Sequence, residues 1–90
     1  MNIRLSKEVI DYLKIQKKKN AKLFKRIEKQ LSLFKTNPKH QSLRVHKLTG
    51  KIKNMWSISI IKDIRMVYIL LENDCPYFVD IGTHDQVYRK

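Results

Sequence analysis

Ninety residues leave room for one hydrophobic core and so for a single domain, residues 1–90. A hydrophobic share of 42% is too high for a disordered tail, no apolar run is long enough for a membrane helix, Met1–Leu5 lacks a signal peptide's apolar core, and the lone Cys75 excludes an internal disulfide or a cysteine-pair zinc site. Twenty Lys and Arg against eight Asp and Glu, a net charge of +12, set up a field that draws in polyanions, nucleic acid first, with anionic membrane surfaces as the rival.

In chain order, Ile3-Arg4-Leu5 alternates apolar and polar and reads as a short strand that stops at Ser6, a helix N-cap with Glu8 in the first turn. Val9, Ile10, Tyr12 and Leu13 give the first helix its apolar stripe as far as about Lys17, and Lys17-Lys18-Lys19-Asn20 reads as the link to a second helix. Leu23, Phe24, Ile27, Leu31 and Phe34 then recur at helical spacing over 21–36, and Asn37-Pro38 closes the pattern because a residue before proline is pushed out of the α region. Lys22, Lys25, Lys29 and Lys35 read as the solvated face of that helix.

Strands follow. Trp56, Ile58 and Ile60 alternate with Ser57 and Ser59, the period-2 pattern of a half-buried strand, and Lys62-Asp63 is a tight connection to the next one. Met66 to Leu71 is apolar at both parities and so belongs inside the sheet. Glu72-Asn73-Asp74 breaks it, Pro76 opens a third strand that Gly82 ends, and the short turns favour an antiparallel meander. The order β-α-α-β-β-β predicts an α+β domain: two helices on one face of a small, mainly antiparallel sheet, the other face left for function. Charge divides along the chain as well. Residues 1–37 carry +8, 38–62 carry +6 and 63–90 carry −2.

His40, His46 and His84 have no metal-ligand spacing, so no metal and no cofactor are expected. Two glycines, Gly50 and Gly82, exclude a glycine-rich phosphate loop. Cys75 has no basic neighbour to activate it. The informative segments are Val45-His46-Lys47-Leu48-Thr49-Gly50-Lys51-Ile52-Lys53, Trp56-Ser57-Ile58-Ser59-Ile60, Arg65-Met66-Val67-Tyr68 and Gly82-Thr83-His84-Asp85-Gln86-Val87-Tyr88.

In order and spacing these segments, with the β-α-α opening, resemble the RelE/ParE superfamily of small type II toxin-antitoxin toxins, specifically the RelE-like mRNA interferases. The resemblance implies ribosome-dependent cleavage of mRNA, with a cognate antitoxin blocking the toxin in resting cells. Metal-free RNA cleavage needs the 2′-OH deprotonated, the phosphoryl charge neutralised and a proton delivered to the leaving 5′-oxygen. Arg65, on the central strand, matches the phosphate clamp. His84 matches a C-terminal proton-transfer histidine, Tyr88 the family's C-terminal aromatic position for base stacking, and His46 a further active-site histidine. Multi-histidine members carry a histidine four residues before the aspartate that Asp63 matches; Ser59 stands there instead. Lys47, Lys51, Lys53 and Lys62 either bind phosphates or serve where other members use lysines.

Three readings stay open at this level. One is the nuclease. The second is the ParE-like branch, which shares the fold and inhibits DNA gyrase without cleaving RNA. The third is a plain basic nucleic-acid-binding module, for which the charge suffices and the C-terminal motif is accidental; for Arg65 itself the plain alternative is a strand arginine paired with Asp63 or Asp80.

Overall fold

Ser6 opens the first helix as its sequence suggests: its Oγ accepts from the Val9 N–H (3.2 Å), and the helix, α1, spans Lys7–Lys19. The computed structural model describes residues 1–48 and 54–88, the side chain of Tyr88 excepted. Helix α2 covers Ala21–Thr36, the span its periodicity predicts. Lys17 to Lys19 are helical and not a linker, which corrects the expected break. Three cations in a helix's last turn complement the partial negative charge of its C-terminal carbonyls. Asn20 alone makes the corner, its N–H donating to Gln16 C=O (2.8 Å) while its side chain accepts from the Leu23 N–H (3.1 Å).

The sheet has five strands among the described residues: β1 (Arg4–Leu5), β2 (His46–Lys47), β3 (Met55–Ile61), β4 (Ile64–Leu70) and β5 (Pro76–Thr83), in spatial order β1-β5-β4-β3-β2. A third helix, α3 (His84–Tyr88), follows β5 directly. The meander β3-β4-β5 is antiparallel as expected, whereas β1 pairs in parallel with β5. Strand β2 and helix α3 add to the predicted order; two and five residues are too short to show a period. The result is the expected α+β architecture, with α1 and α2 on one face.

That face holds the core. Ile58, Ile60, Met66, Tyr68 and Phe78 from the sheet are buried with Val9, Ile27 and Phe34 from the helices and Leu43 from the connection. Phe34 sits 5.1 Å from the Tyr68 ring and 5.4 Å from that of Phe78, in tilted and edge-on geometries that aromatic quadrupoles favour. Burial raises the Tyr68 hydroxyl above its ordinary pKa, and does the same to Tyr12. Gln30, buried on α2, donates from Nε2 to Ser59 C=O (2.9 Å) and so ties the helix to β3.

Two irregularities re-aim side chains. Between Ser59 and Ile61 the β3/β4 register shifts, so Ile61 lies opposite Ile64 and Ile60 is the extra residue. Simple alternation would put Ile61 on the face of Ser57 and Ser59; instead it lines a groove against α2. A second shift, between Val67 and Tyr68, makes Val79 the extra residue on β5. There the Ser6 hydroxyl donates to Val79 C=O (3.3 Å) and the Ser6 N–H to Phe78 C=O (2.9 Å), which anchors the start of α1 to the sheet.

Candidate active site

Strand alternation decides which side chains share the face away from α1 and α2. Met66 and Tyr68 point into the helix-side core, so Arg65 and Val67 between them point the other way. The register then sets out this face in rows. Ser59 and Gly82 flank Arg65 on the neighbouring strands, and the adjacent row runs His46, Ser57, Val67, Asp80. Arg65 is half-buried on the central strand. Asp80 Oδ1 accepts from the Ile81 N–H (3.0 Å).

Helix α3 folds back over this face and packs against β4 and β5. Its start is a reciprocal cap: the Gln86 N–H donates to Thr83 Oγ1 (3.2 Å) while Gln86 Oε1 accepts from the Thr83 N–H (2.8 Å). Gly82 makes room for it. A Cβ there would stand 2.6 Å from Gln86 Oε1, so the side chain that closes the cap occupies the space above Gly82, beside Arg65 in the register. Val87 is buried by the same packing. The cap fixes His84 as the first helical residue, two positions beyond Gly82, with its side chain 70% exposed and Nδ1 3.9 Å from Asp85 Oδ1.

The predicted residues therefore divide. Arg65 lies opposite Gly82, two residues before His84, towards the end of the sheet that also carries the exposed Lys62, in the β3/β4 turn. His46 lies on the same face on edge strand β2, two strands across and two residues along from Arg65, roughly 12 Å between Cα atoms from strand spacing and rise. Lys47 alternates to the opposite side, where its Nζ stands 5.6 Å from the Trp56 ring centre. Tyr88 is the last residue of α3, its side chain outside the description, and Lys51 and Lys53 lie outside the described residues. Sequence reasoning passed over Gln86 and Ser59 as parts of the site. The four-residue pattern Thr83-His84-Asp85-Gln86 was a legible signal for the first, being a capping box. Ser59 is placed beside Arg65 only by register.

An α+β sheet with two helices on one face and a short C-terminal helix on the other is the fold of the RelE/ParE-type toxins, which the sequence resemblance had named. Solved structures of such toxins superpose over nearly the full chain. A YoeB/ParE toxin from Agrobacterium tumefaciens matches with a TM-score of 0.78 at 18% identity, covering 93% of this chain and 99% of its own. YafQ in the E. coli DinJ-YafQ toxin-antitoxin complex matches at 0.76 and 21%, covering 97% and 96%. A metal-bound toxin from Helicobacter pylori matches at 0.76 and 24%, covering 98% and 99%. No family model and no curated protein matches the sequence. Among the described residues here, no three His, Cys, Asp or Glu side chains gather as metal ligands. No described helix is long and apolar enough to cross a membrane.

Proposed function

We propose that this chain is the toxin of a type II toxin-antitoxin system and acts as a ribosome-dependent mRNA endonuclease. One observation carries the reading: Arg65 stands on the central strand, on the face opposite the core, while a reciprocal cap sets His84 at the first position of a helix folded over that face. A gyrase inhibitor or a plain binding module has no use for an arginine and a proton-transfer group on one face of the sheet.

The reaction is an in-line attack of a ribose 2′-oxygen on the adjacent phosphorus. The P–O5′ bond breaks as the P–O2′ bond forms, leaving a cyclic phosphate and a free 5′-hydroxyl. Arg65 neutralises the charge building on the non-bridging oxygens, and a preorganised fork on a strand does so without reorganising during the step. His84 delivers the proton to the leaving 5′-oxygen, and His46, across the same face, takes the proton from the 2′-hydroxyl. Tyr88 stacks on a base beside the cut. Lys51, Lys53 and Lys62 bind flanking phosphates, Lys47 being turned to the other side of the sheet, and the net charge of +12 speeds encounter with ribosomal RNA and mRNA. The chain works in the cytoplasm, and an acidic antitoxin partner keeps it inactive, as DinJ accompanies YafQ in the E. coli complex.

The test is a translation reaction on a defined mRNA with 5′ ends mapped by primer extension, run beside naked mRNA and the variants Arg65→Ala and His84→Ala. New ends that need both translating ribosomes and Arg65 are expected. Stalled translation without new ends removes the nuclease reading and points to gyrase supercoiling as the next assay. Full toxicity in His84→Ala removes His84 from the chemistry.

A further inference from the structure

Arg65 is flanked across the sheet by Ser59 on β3 and Gly82 on β5. Gly82 has no side chain of its own, and the space one would fill is taken by Gln86: a Cβ at Gly82 would stand 2.6 Å from Gln86 Oε1 and 3.4 Å from its Cδ. Residues paired across an antiparallel ladder hold their Cβ positions about 5 Å apart. The Gln86 carboxamide therefore lies beside the root of the Arg65 side chain, on the same face of the sheet. On the other flank the Ser59 hydroxyl donates to Ile61 C=O (3.3 Å), so its proton is directed at the β3 bulge.

The carboxamide is also oriented. Its oxygen accepts from the Thr83 N–H (2.8 Å), and turning the amide over would set an NH₂ group against that donor. Held by its oxygen, the exposed Gln86 keeps two Nε2 protons that no hydrogen bond among the described residues uses.

We propose that Gln86 is a further catalytic residue, a role that rests on the nuclease reading above: its Nε2 donates to a non-bridging oxygen of the phosphate that Arg65 clamps. Negative charge on those oxygens grows as the 2′-oxygen closes on phosphorus, and a donor already fixed at the backbone meets it without rotating into place. The amide gives a hydrogen bond and keeps its protons, so the proton transfers stay with the histidines. A glutamate here would close the Thr83 cap as well, yet would bring a carboxylate to the phosphate. Only the amide serves both the cap and the anion.

The experiment compares the wild type with Gln86→Glu and Gln86→Ala on ribosomes programmed with a synthetic mRNA, reading kcat, KM and thermal melting. Gln86→Glu keeps the acceptor for Thr83, so it should melt with the wild type while kcat falls about 10²-fold and KM hardly moves, the bond being made in the transition state. Gln86→Ala should lose cleavage to a similar extent and melt earlier. A single phosphorothioate at the mapped cleavage linkage, one diastereomer at a time, separates the lost donor from the added charge. Sulfur accepts a hydrogen bond poorly, so one diastereomer should slow the wild type and slow Gln86→Ala no further. The proposal is overturned by full cleavage in Gln86→Glu, the result for a residue that only positions α3, or by equal phosphorothioate penalties in Gln86→Ala and the wild type. If the wild type leaves the mRNA intact, the nuclease reading falls and takes this role with it.

Discussion

Beneath α1 and α2 the sheet presents Ile58, Met66, Tyr68 and Phe78, buried against Phe34 and Ile27; its other face presents Ser57, Ser59, Arg65, Asp80 and Gly82 beneath a helix of five residues. The same three strands supply both faces, and each residue's face is set by parity along the strand. The first face offers close apolar packing and little chemistry. The second carries apolar residues too, the buried Val67 and Val87 and the row Met55, Ile69 and Tyr77, but it also holds the charged and polar Ser57, Ser59, Arg65 and Asp80. The difference teaches that, on the proposed function, stability and chemistry fall on separate sides of one sheet, so substitutions on the two sides should separate in their effects.

The largest expected effect tests the first side. Phe34→Ala removes the ring that touches both Tyr68 and Phe78 and should cost about 3–5 kcal/mol in urea unfolding. Arg65→Ala should reverse the pattern: mRNA cleavage falls by about 10²–10³, while stability changes by less than ~1 kcal/mol. If Arg65→Ala unfolds the chain while cleavage per folded molecule is unchanged, the division between the faces is wrong.

A smaller effect sharpens the boundary at α3. Gln86→Ala removes one half of the reciprocal cap and should cost about 1 kcal/mol, whereas Gln86→Glu keeps an acceptor for the Thr83 N–H and should stay near wild type. Gly82→Ala displaces the same side chain by placing a methyl against Gln86 Oε1. The two losses should therefore fail to add, and a double-mutant cycle by thermal melts measures the coupling.

The smallest effect is alkaline. Burial holds the Tyr68 hydroxyl protonated above its ordinary value of 10.0, so above that pH the unfolded chain loses a proton that the folded chain keeps. The stability from this group is whole below pH 10 and is lost as pH rises through the higher folded value. Tyr68→Phe should flatten that alkaline loss in pH-dependent unfolding, with Tyr12 accounting for part of what remains.

The elements that the sequence made legible are those whose evidence is local. Ser6 caps α1, Asn37-Pro38 ends α2, and the alternation from Trp56 to Ile60 is that of a half-buried strand, because caps and periods act over a few residues. Arg65 and His84 were singled out through the order of motifs along the chain; that Arg65 stands opposite Gly82, two residues before His84, needed the pairing of β4 with β5. The lysine run 17–19 was misjudged as a link because absence of apolar residues looks the same in a linker and in an exposed last turn.

By itself, then, the sequence determined the helices, the meander, the basic charge and the motif order, since each is written in residue types and spacings. Only the tertiary structure decided the rest: the parallel pairing of β1 with β5 across the length of the chain, the two-residue β2 that sets His46 in the row of Ser57, Val67 and Asp80, and the bulge that sends Ile61 to the groove. Those features depend on which strand lies beside which. A register is a relation between distant residues, and no window along one segment contains it.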